Sequence, residues 1–410
     1  MARRSSRTRP LTSLVGVLLT ATFTAAFVAA SCSSDTQTAS DAAPTTAVSS
    51  TATATADAEP VVPTTEVPAP TAAPTSTAAP TTTQAPTPLL AAPSGGVYPG
   101  VDWVTADLPA SVDRAAFDTA VDVAFGAPDA TGRVRSIVVV QGGEITYERY
   151  HPLDGPEQLM ESYSVAKSFT SAVIGLLVGD GLLDVDERAP VAAWDEPADP
   201  RHAITLEHLL HMASGLEWTE EYGPDSLVRQ MFSAEVASDV PAGVQLEADP
   251  GTTFEYSTGT TAILAGIVID TLGGVDEFDA YVQERLFDPL DITSTELTRD
   301  SSGRWFGGFG ADSTTRDFAR FGLLYLNDGI WDGERLLPEG WVDYSHEPSP
   351  ANEQYGAQWR MFRAGAFEAR GLWGQIVLVS QEHDLVIAIN TTQGGDADTL
   401  VGAVYDLLTP

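Results

Sequence analysis

Residues 136–150, Ser136-Ile137-Val138-Val139-Val140-Gln141-Gly142-Gly143-Glu144-Ile145-Thr146-Tyr147-Glu148-Arg149-Tyr150, carry two β signals joined by a turn. Val, Ile and Tyr fill both runs, and Gln141–Glu144 supplies the glycine pair that lets the chain reverse, so the stretch reads as a hairpin. The far end of the chain repeats the pattern. Gln375–Ser380 and Leu385–Thr391 are alternating or apolar runs separated by Gln381–Asp384, and Ala397–Leu408 closes as a helix. Before the first hairpin, Asp113–Phe125 reads as a helix with Ala116, Phe117, Val121 and Phe125 near one face. The centre is helical pattern broken by Gly, Pro and Asp, at 165–178, 206–212, 261–271, 278–286 and 316–326. Strands at both ends of a helical middle predict an α+β architecture. The simplest closure pairs the N- and C-terminal strands in one antiparallel sheet, flanked by helices, with the centre as a large helical lobe. A cleft between the two is the expected place for a site.

Outward from this domain the composition changes. Residues 33–96 hold 16 Thr, 16 Ala, 10 Pro and 7 Ser, with five acids and no Lys or Arg. Such a stretch buries too little apolar surface to offset chain entropy, and is expected to be a disordered tether. Ahead of it, Arg3, Arg4, Arg7 and Arg9 precede the apolar run Leu11–Ala30, the layout of an export signal. Cys32 is the sole cysteine, which excludes a disulfide scaffold, and it follows small residues directly. Val28-Ala29-Ala30-Ser31-Cys32 resembles a bacterial lipobox, implying a lipid anchor on Cys32 and an extracytoplasmic location. An ordinary cleaved signal and a retained membrane helix are the alternatives. The expected layout is signal 1–31, anchor and tether 32–96, and one domain 97–410. That domain holds 52 of the 57 acids, and the whole chain carries a net charge of −36. Nucleic acid would be repelled by it.

One position singles itself out. Lys167 is the only lysine, and every other basic residue among the 21 is arginine. A lysine can lose its proton where it is buried, whereas arginine effectively cannot. Ser164 lies three residues earlier, in Ser164-Val165-Ala166-Lys167. Three residues of helix advance about 4.5 Å and return nearly to the same face. The amine therefore reaches the hydroxyl, while the helix start offers free N–H groups to an oxyanion. The apolar run Ala172–Leu177 behind it predicts a buried helix. This spacing makes Ser164 a candidate activated nucleophile.

Two further motifs join it. Ser164-Val165-Ala166-Lys167, Phe254-Glu255-Tyr256-Ser257-Thr258-Gly259 and Trp373-Gly374-Gln375 follow one another as the three motifs of the serine β-lactamase and penicillin-binding-protein superfamily do. His208–Leu216 and Gly310–Gly322 are similar to other recurring stretches of that group. The chain resembles it from about 136 to 408, and in its motifs resembles the related esterases and 6-aminohexanoate-dimer hydrolases. The resemblance implies an acyl-enzyme hydrolase that needs no cofactor or metal. Ser164 would be the nucleophile, Lys167 and Tyr256 the general-base pair, and the N–H groups of Ser164 and Ile376 the oxyanion hole. A slip of one residue would give Gln375 in place of Ile376. Trp373, Gly374 and Gln375 would contact substrate, with Trp373 replacing the family's usual Lys or His. Arg370 is close enough in sequence to stand in for that cation.

The substrate, a small ester, amide or peptide-like molecule, stays open at this point. The rivals are a true β-lactamase or D-Ala-D-Ala carboxypeptidase, and a non-catalytic module that binds wall peptides. His208 and His211 have metal-compatible spacing but lack companion ligands, so they read as packing. Gly307-Gly308-Phe309-Gly310 reads as a turn beside the cleft, and Trp305 is, with Trp373, the tryptophan allowed near substrate.

Overall fold

The glycine pair turns the chain as its sequence predicts. Gly142 and Gly143 have φ of 62° and 79°, the left-handed backbone of a two-residue hairpin turn. They join β1 (Val134–Gln141) to β2 (Glu144–Tyr150). The computed structural model describes residues 97–126, 134–363, 365–393 and 395–409. The expected export signal, Cys32 and the tether lie outside the described residues.

Four more strands complete the main sheet: β3 (Arg360–Arg363), β4 (Ala366–Gly371), β5 (Gln375–Ser380) and β6 (Leu385–Thr391). Among the described residues it has six strands in the order β2-β1-β6-β5-β4-β3, antiparallel at every pairing. The N- and C-terminal strands do meet, with Val138 opposite Ala388 and Val139 opposite Ile387. Strands β3 and β4 carry no clear β signal in the sequence. They carry Arg360, Arg363, Glu368 and Arg370 among their apolar residues, which hid them as strands.

The principal helices are α1 (Arg114–Phe125), α2 (Val165–Gly179), α3 (Thr258–Leu272), α4 (Thr315–Leu326) and α5 (Ala397–Leu408). They explain why β1 reads Val-Val-Val and not as a strict alternation. Ile137 and Val139 pack with α1 and α5 on one face; Val138 and Val140 share the core of α2, α3 and α4 on the other. A strand covered on both faces needs apolar residues at successive positions. In α2, residues 165–177 are all buried, and in α3 residues 258–269 are. Helices without a polar face are interior helices. The expected helix at 278–286 divides into Val275–Val282 and a wider turn over Gln283–Phe287.

One buried side chain ties the sheet side to the helical lobe. Gln358 accepts from the Thr261 hydroxyl of α3 (2.8 Å) and donates to the Leu210 carbonyl (2.7 Å). Its own carbonyl accepts from the Ser168 hydroxyl of α2 at 2.8 Å. Helices α2 and α3 and the short helix Leu206–Leu210 are thereby set against one another by a single residue.

Close approach of α4 to the sheet depends on Gly322. A Cβ there would sit 2.6 Å from Val386 Cγ1 and 2.8 Å from Val377 Cγ1, and both valines are stiff at χ1. Gly322→Ala gains helix propensity but overpacks this contact, so unfolding free energy is expected to fall by about 1–2 kcal/mol. A urea midpoint equal to or above that of the parent would contradict this packing.

Candidate active site

Ser164 stands at the start of α2 as its N-cap, half-buried, and its side chain makes no capping bond. The hydroxyl is thus left for Lys167, whose Nζ donates to Ser164 Oγ at 3.1 Å. Lys167 is 1 % exposed. A buried amine is costly unless hydrogen-bonded, and two more acceptors complete its set: Thr258 Oγ1 at 3.0 Å and the Gly308 carbonyl at 2.8 Å. The sequence marks Gly308 only as part of a turn. Its place is tight, since a Cβ there would lie 2.7 Å from Thr258 Cγ2.

Tyr256 comes just before α3, two residues ahead of Thr258. Lys167 Nζ lies 5.0 Å from the centre of its ring, within cation–π range. The ring meets Tyr355 edge-on at 5.9 Å. Among the described contacts no hydrogen bond joins the Tyr256 hydroxyl to Ser164 or Lys167. Catalytic hydrogen bonds often close only around substrate. Ser257 caps α3 by accepting from the Thr260 amide at 2.8 Å.

The loop ahead of Ser164 is held under strain. Tyr163 has φ 44° and Trp373 φ 61°, a backbone region costly for bulky residues. Their rings meet edge-on at 5.2 Å. Ser162 anchors this loop: its amide donates to Asp312 Oδ1 (2.9 Å), and its hydroxyl accepts from the Ala311 amide (2.8 Å). Burial raises the Asp312 carboxyl above the usual range even though that amide donates to it.

Several sequence expectations need correction here. Trp373-Gly374 lies in the turn between β4 and β5. Gly374 has φ 96° and no room for a Cβ, which would meet Ala397 Cβ at 2.4 Å. Gln375 is 2 % exposed; its amide donates to the Thr391 carbonyl and accepts from Asn390 and the Thr391 amide. That side chain is spent on the sheet. Ile376 is 1 % exposed and paired on both sides, with Arg370 and Ile389, inside an interior strand. Its backbone is committed to the ladder, which removes it as an oxyanion donor. The part of the hairpin that touches the loop ahead of Ser164 is Gly371–Trp373: a Cβ on Gly371 would lie 2.5 Å from the Ser162 carbonyl. Arg370 cannot reach Ser164 either. Its β4 neighbour Ala369 packs in the α2 core, so Arg370 projects from the other face, where it pairs with Glu368 and with Asp398 of α5. Trp305 is a core residue, 4 % exposed, stacked on Phe278. His208 caps its own short helix, accepting from the Thr205 amide.

A carboxylate that the sequence reading passed over lies beside the motif residues. Glu220 accepts from the Thr258 amide (2.8 Å), the Thr258 hydroxyl, Trp218 Nε1 (2.9 Å) and the Tyr222 hydroxyl (3.0 Å). Burial, then the Glu220 and Tyr256 neighbours, push the Tyr222 phenol up. Glu255 is raised as well, by burial and by the charges of Glu247 and Glu220. The surroundings of Lys167 are acidic.

The chain is similar to known proteins. The beta-lactamase family profile matches residues 125–409. The chain is 28 % identical over 225 residues to the 6-aminohexanoate-dimer hydrolase of Paenarthrobacter ureafaciens, covering 51 % of this chain and 56 % of that protein. It is 28 % identical over 217 residues to penicillin-binding protein 4 of Amycolatopsis lactamdurans, covering 44 % and 54 %. The matched region thus spans about half the length of these curated relatives. Among solved structures, a penicillin-binding-protein homologue from Caulobacter crescentus superposes with a TM-score of 0.57 at 16 % identity, over 74 % of this chain and 99 % of that one. That likeness establishes the fold, and the profile match establishes the kinship: the chain belongs to the beta-lactamase family of serine hydrolases.

Proposed function

We propose that this protein hydrolyses neutral carboxylic esters or amides through an acyl-enzyme on Ser164. The observation that carries the reading is the buried Lys167 amine 3.1 Å from Ser164 Oγ. Ser164 Oγ attacks the substrate carbonyl as its proton passes to the Lys167–Tyr256 pair, and the pair then protonates the leaving alcohol or amine. Water enters by the reverse of this path, releasing the acid and restoring the serine. The oxyanion would be held by the Ser164 amide together with the Gly371–Trp373 turn, Leu372 being the donor we favour over Ile376.

A neutral substrate is favoured by the lack of a cation at Trp373, by the pairing of Arg370 on the opposite face, and by the acidic neighbours Glu220 and Glu255. We further propose export and lipid anchoring at Cys32, supported by the sole cysteine following small residues after an apolar run.

Three outcomes are expected. Ser164→Ala, Lys167→Arg and Tyr256→Phe each lower kcat by at least about 10³, with double variants no worse than the lower single, as for residues acting as a unit. Near-normal turnover in Lys167→Arg, which keeps its charge but cannot deprotonate, would refute the mechanism. The kcat/KM for a short-chain aryl ester should exceed that for a chromogenic cephalosporin by roughly 10–150-fold, the value of one lost charge-assisted contact. Trp373→Lys should narrow the gap; equal rates in the parent protein would favour the β-lactamase reading. Cys32→Ser should move the protein from the membrane to the soluble fraction with hydrolysis unchanged, and persistent membrane association would point to a retained helix at Leu11–Ala30.

A further inference from the structure

We infer that Glu220 is a positioning residue for Lys167, acting through the Thr258 hydroxyl to decide which of the amine's directions faces Ser164. The inference rests on the hydrolase reading above and concerns how the base is set up.

The argument is a count of donors and acceptors. Glu220 receives four hydrogen bonds, from the Thr258 amide, the Thr258 hydroxyl, Trp218 Nε1 and the Tyr222 hydroxyl. An ionised carboxylate only accepts, and four is about its capacity. A hydroxyl has one proton. Because Thr258 gives its proton to Glu220, it can only accept from Lys167 Nζ, 3.0 Å away. The Gly308 carbonyl, 2.8 Å from the same nitrogen, is likewise an acceptor only. Two N–H directions of the amine are therefore fixed away from Ser164. The remaining direction points at Ser164 Oγ. In the neutral amine that direction is the lone pair, aimed at the serine proton it must take; in the ammonium it is the N–H that returns a proton. Were the Thr258 hydroxyl free to reverse, it could donate to the lone pair and compete with Ser164.

The same carboxylate also anchors the start of α3, since the Thr258 amide belongs to its first turn, where N–H groups lack helical partners. A glutamine cannot replace it cleanly. The Thr258 amide and Trp218 Nε1 can only donate, so a glutamine oxygen must take their side and its NH₂ must face the Thr258 and Tyr222 hydroxyls; the Thr258 hydroxyl then accepts from that NH₂ and its proton is released toward Lys167 Nζ. The titratable groups nearest the arrangement are Lys167, Tyr222, Tyr256, Tyr355 and Glu255.

The test uses the full-length protein, p-nitrophenyl butyrate as substrate and a fluorophosphonate as the probe of Ser164. Glu220→Gln and Thr258→Val should each lower kcat by about 10–100-fold with KM within roughly threefold of the parent. Thr258→Ser, which keeps the hydroxyl, should restore nearly parental kcat, an outcome that a purely packing role for this position would not produce. The Glu220→Gln/Thr258→Val double variant should be no more than roughly threefold worse than the lower single, because both changes break one chain. Parental kcat in Thr258→Val, or losses that multiply in the double variant, would overturn the inference. Should Glu220→Gln fail to fold, Thr258→Val against Thr258→Ser decides alone, since both keep the amide that Glu220 holds. A parent protein inert to both the ester and the fluorophosphonate would sink the hydrolase reading and this inference with it. A reactive parent with unaffected variants would sink this inference only.

Discussion

Burying an amine obliges a protein to bring acceptors to it, and the placing of Lys167 organises much of this structure. Its three partners come from segments far apart in the chain: Ser164 at the start of α2, Thr258 at the start of α3, and Gly308 in the loop before the strand at 311–314. Leaving any of them out would strand a polar group in a dry environment, at a cost of about 1–3 kcal/mol or more. The interior helices α2 and α3 must therefore start side by side, and the glycines at 307 and 308 follow from how near the loop comes. At Gly307 a Cβ would lie 2.5 Å from Ala265 Cβ.

Rigidity around this centre is distributed between strain and its restraints. The left-handed backbone of Tyr163 and Trp373 persists because the surroundings over-determine it. Asp312 and Ala311 hold the Ser162 end, the Thr391 hydroxyl donates to the Trp373 carbonyl, and Gly374 admits α5 closely. Gln358 then fixes α2, α3 and the chain at Leu210 relative to one another. If Ser164 is the nucleophile, as proposed, such a frame would leave it little reorganisation when substrate arrives, which is where much of the catalytic power of preorganised sites originates.

Charge shapes the same region from outside. Glu220 is satisfied by four donors, yet its charge still raises Glu255 and Tyr222 nearby. The nearest arginine in sequence to the Trp373 turn is locked on the far face of the sheet. An anionic substrate would meet repulsion without the compensating cation, and this local field agrees in sign with the net charge of −36 over the whole chain.

The amino-acid sequence by itself determined the two hairpins, the terminal helices and the Ser164–Lys167 spacing, because each depends on interactions within a few residues: glycine φ, helical periodicity, the pitch of one turn. It also pointed to one antiparallel sheet shared by the N- and C-terminal strands, although which strands pair within it, β1 with β6, came from the structure. Tertiary structure alone decided the rest. Strands β3 and β4 carry charged residues whose partners, such as Asp398 for Arg370, are distant in sequence. The face on which Arg370 projects depends on strand register, and a shift of one residue would reverse it. Ile376 looked like a cleft donor until its pairing on both sides was known. Glu220 had no motif to announce it, because its role comes from Thr258 reaching it across 38 residues of chain. Chemistry carried by neighbours in sequence is legible there, whereas chemistry carried by neighbours in space waits for the fold.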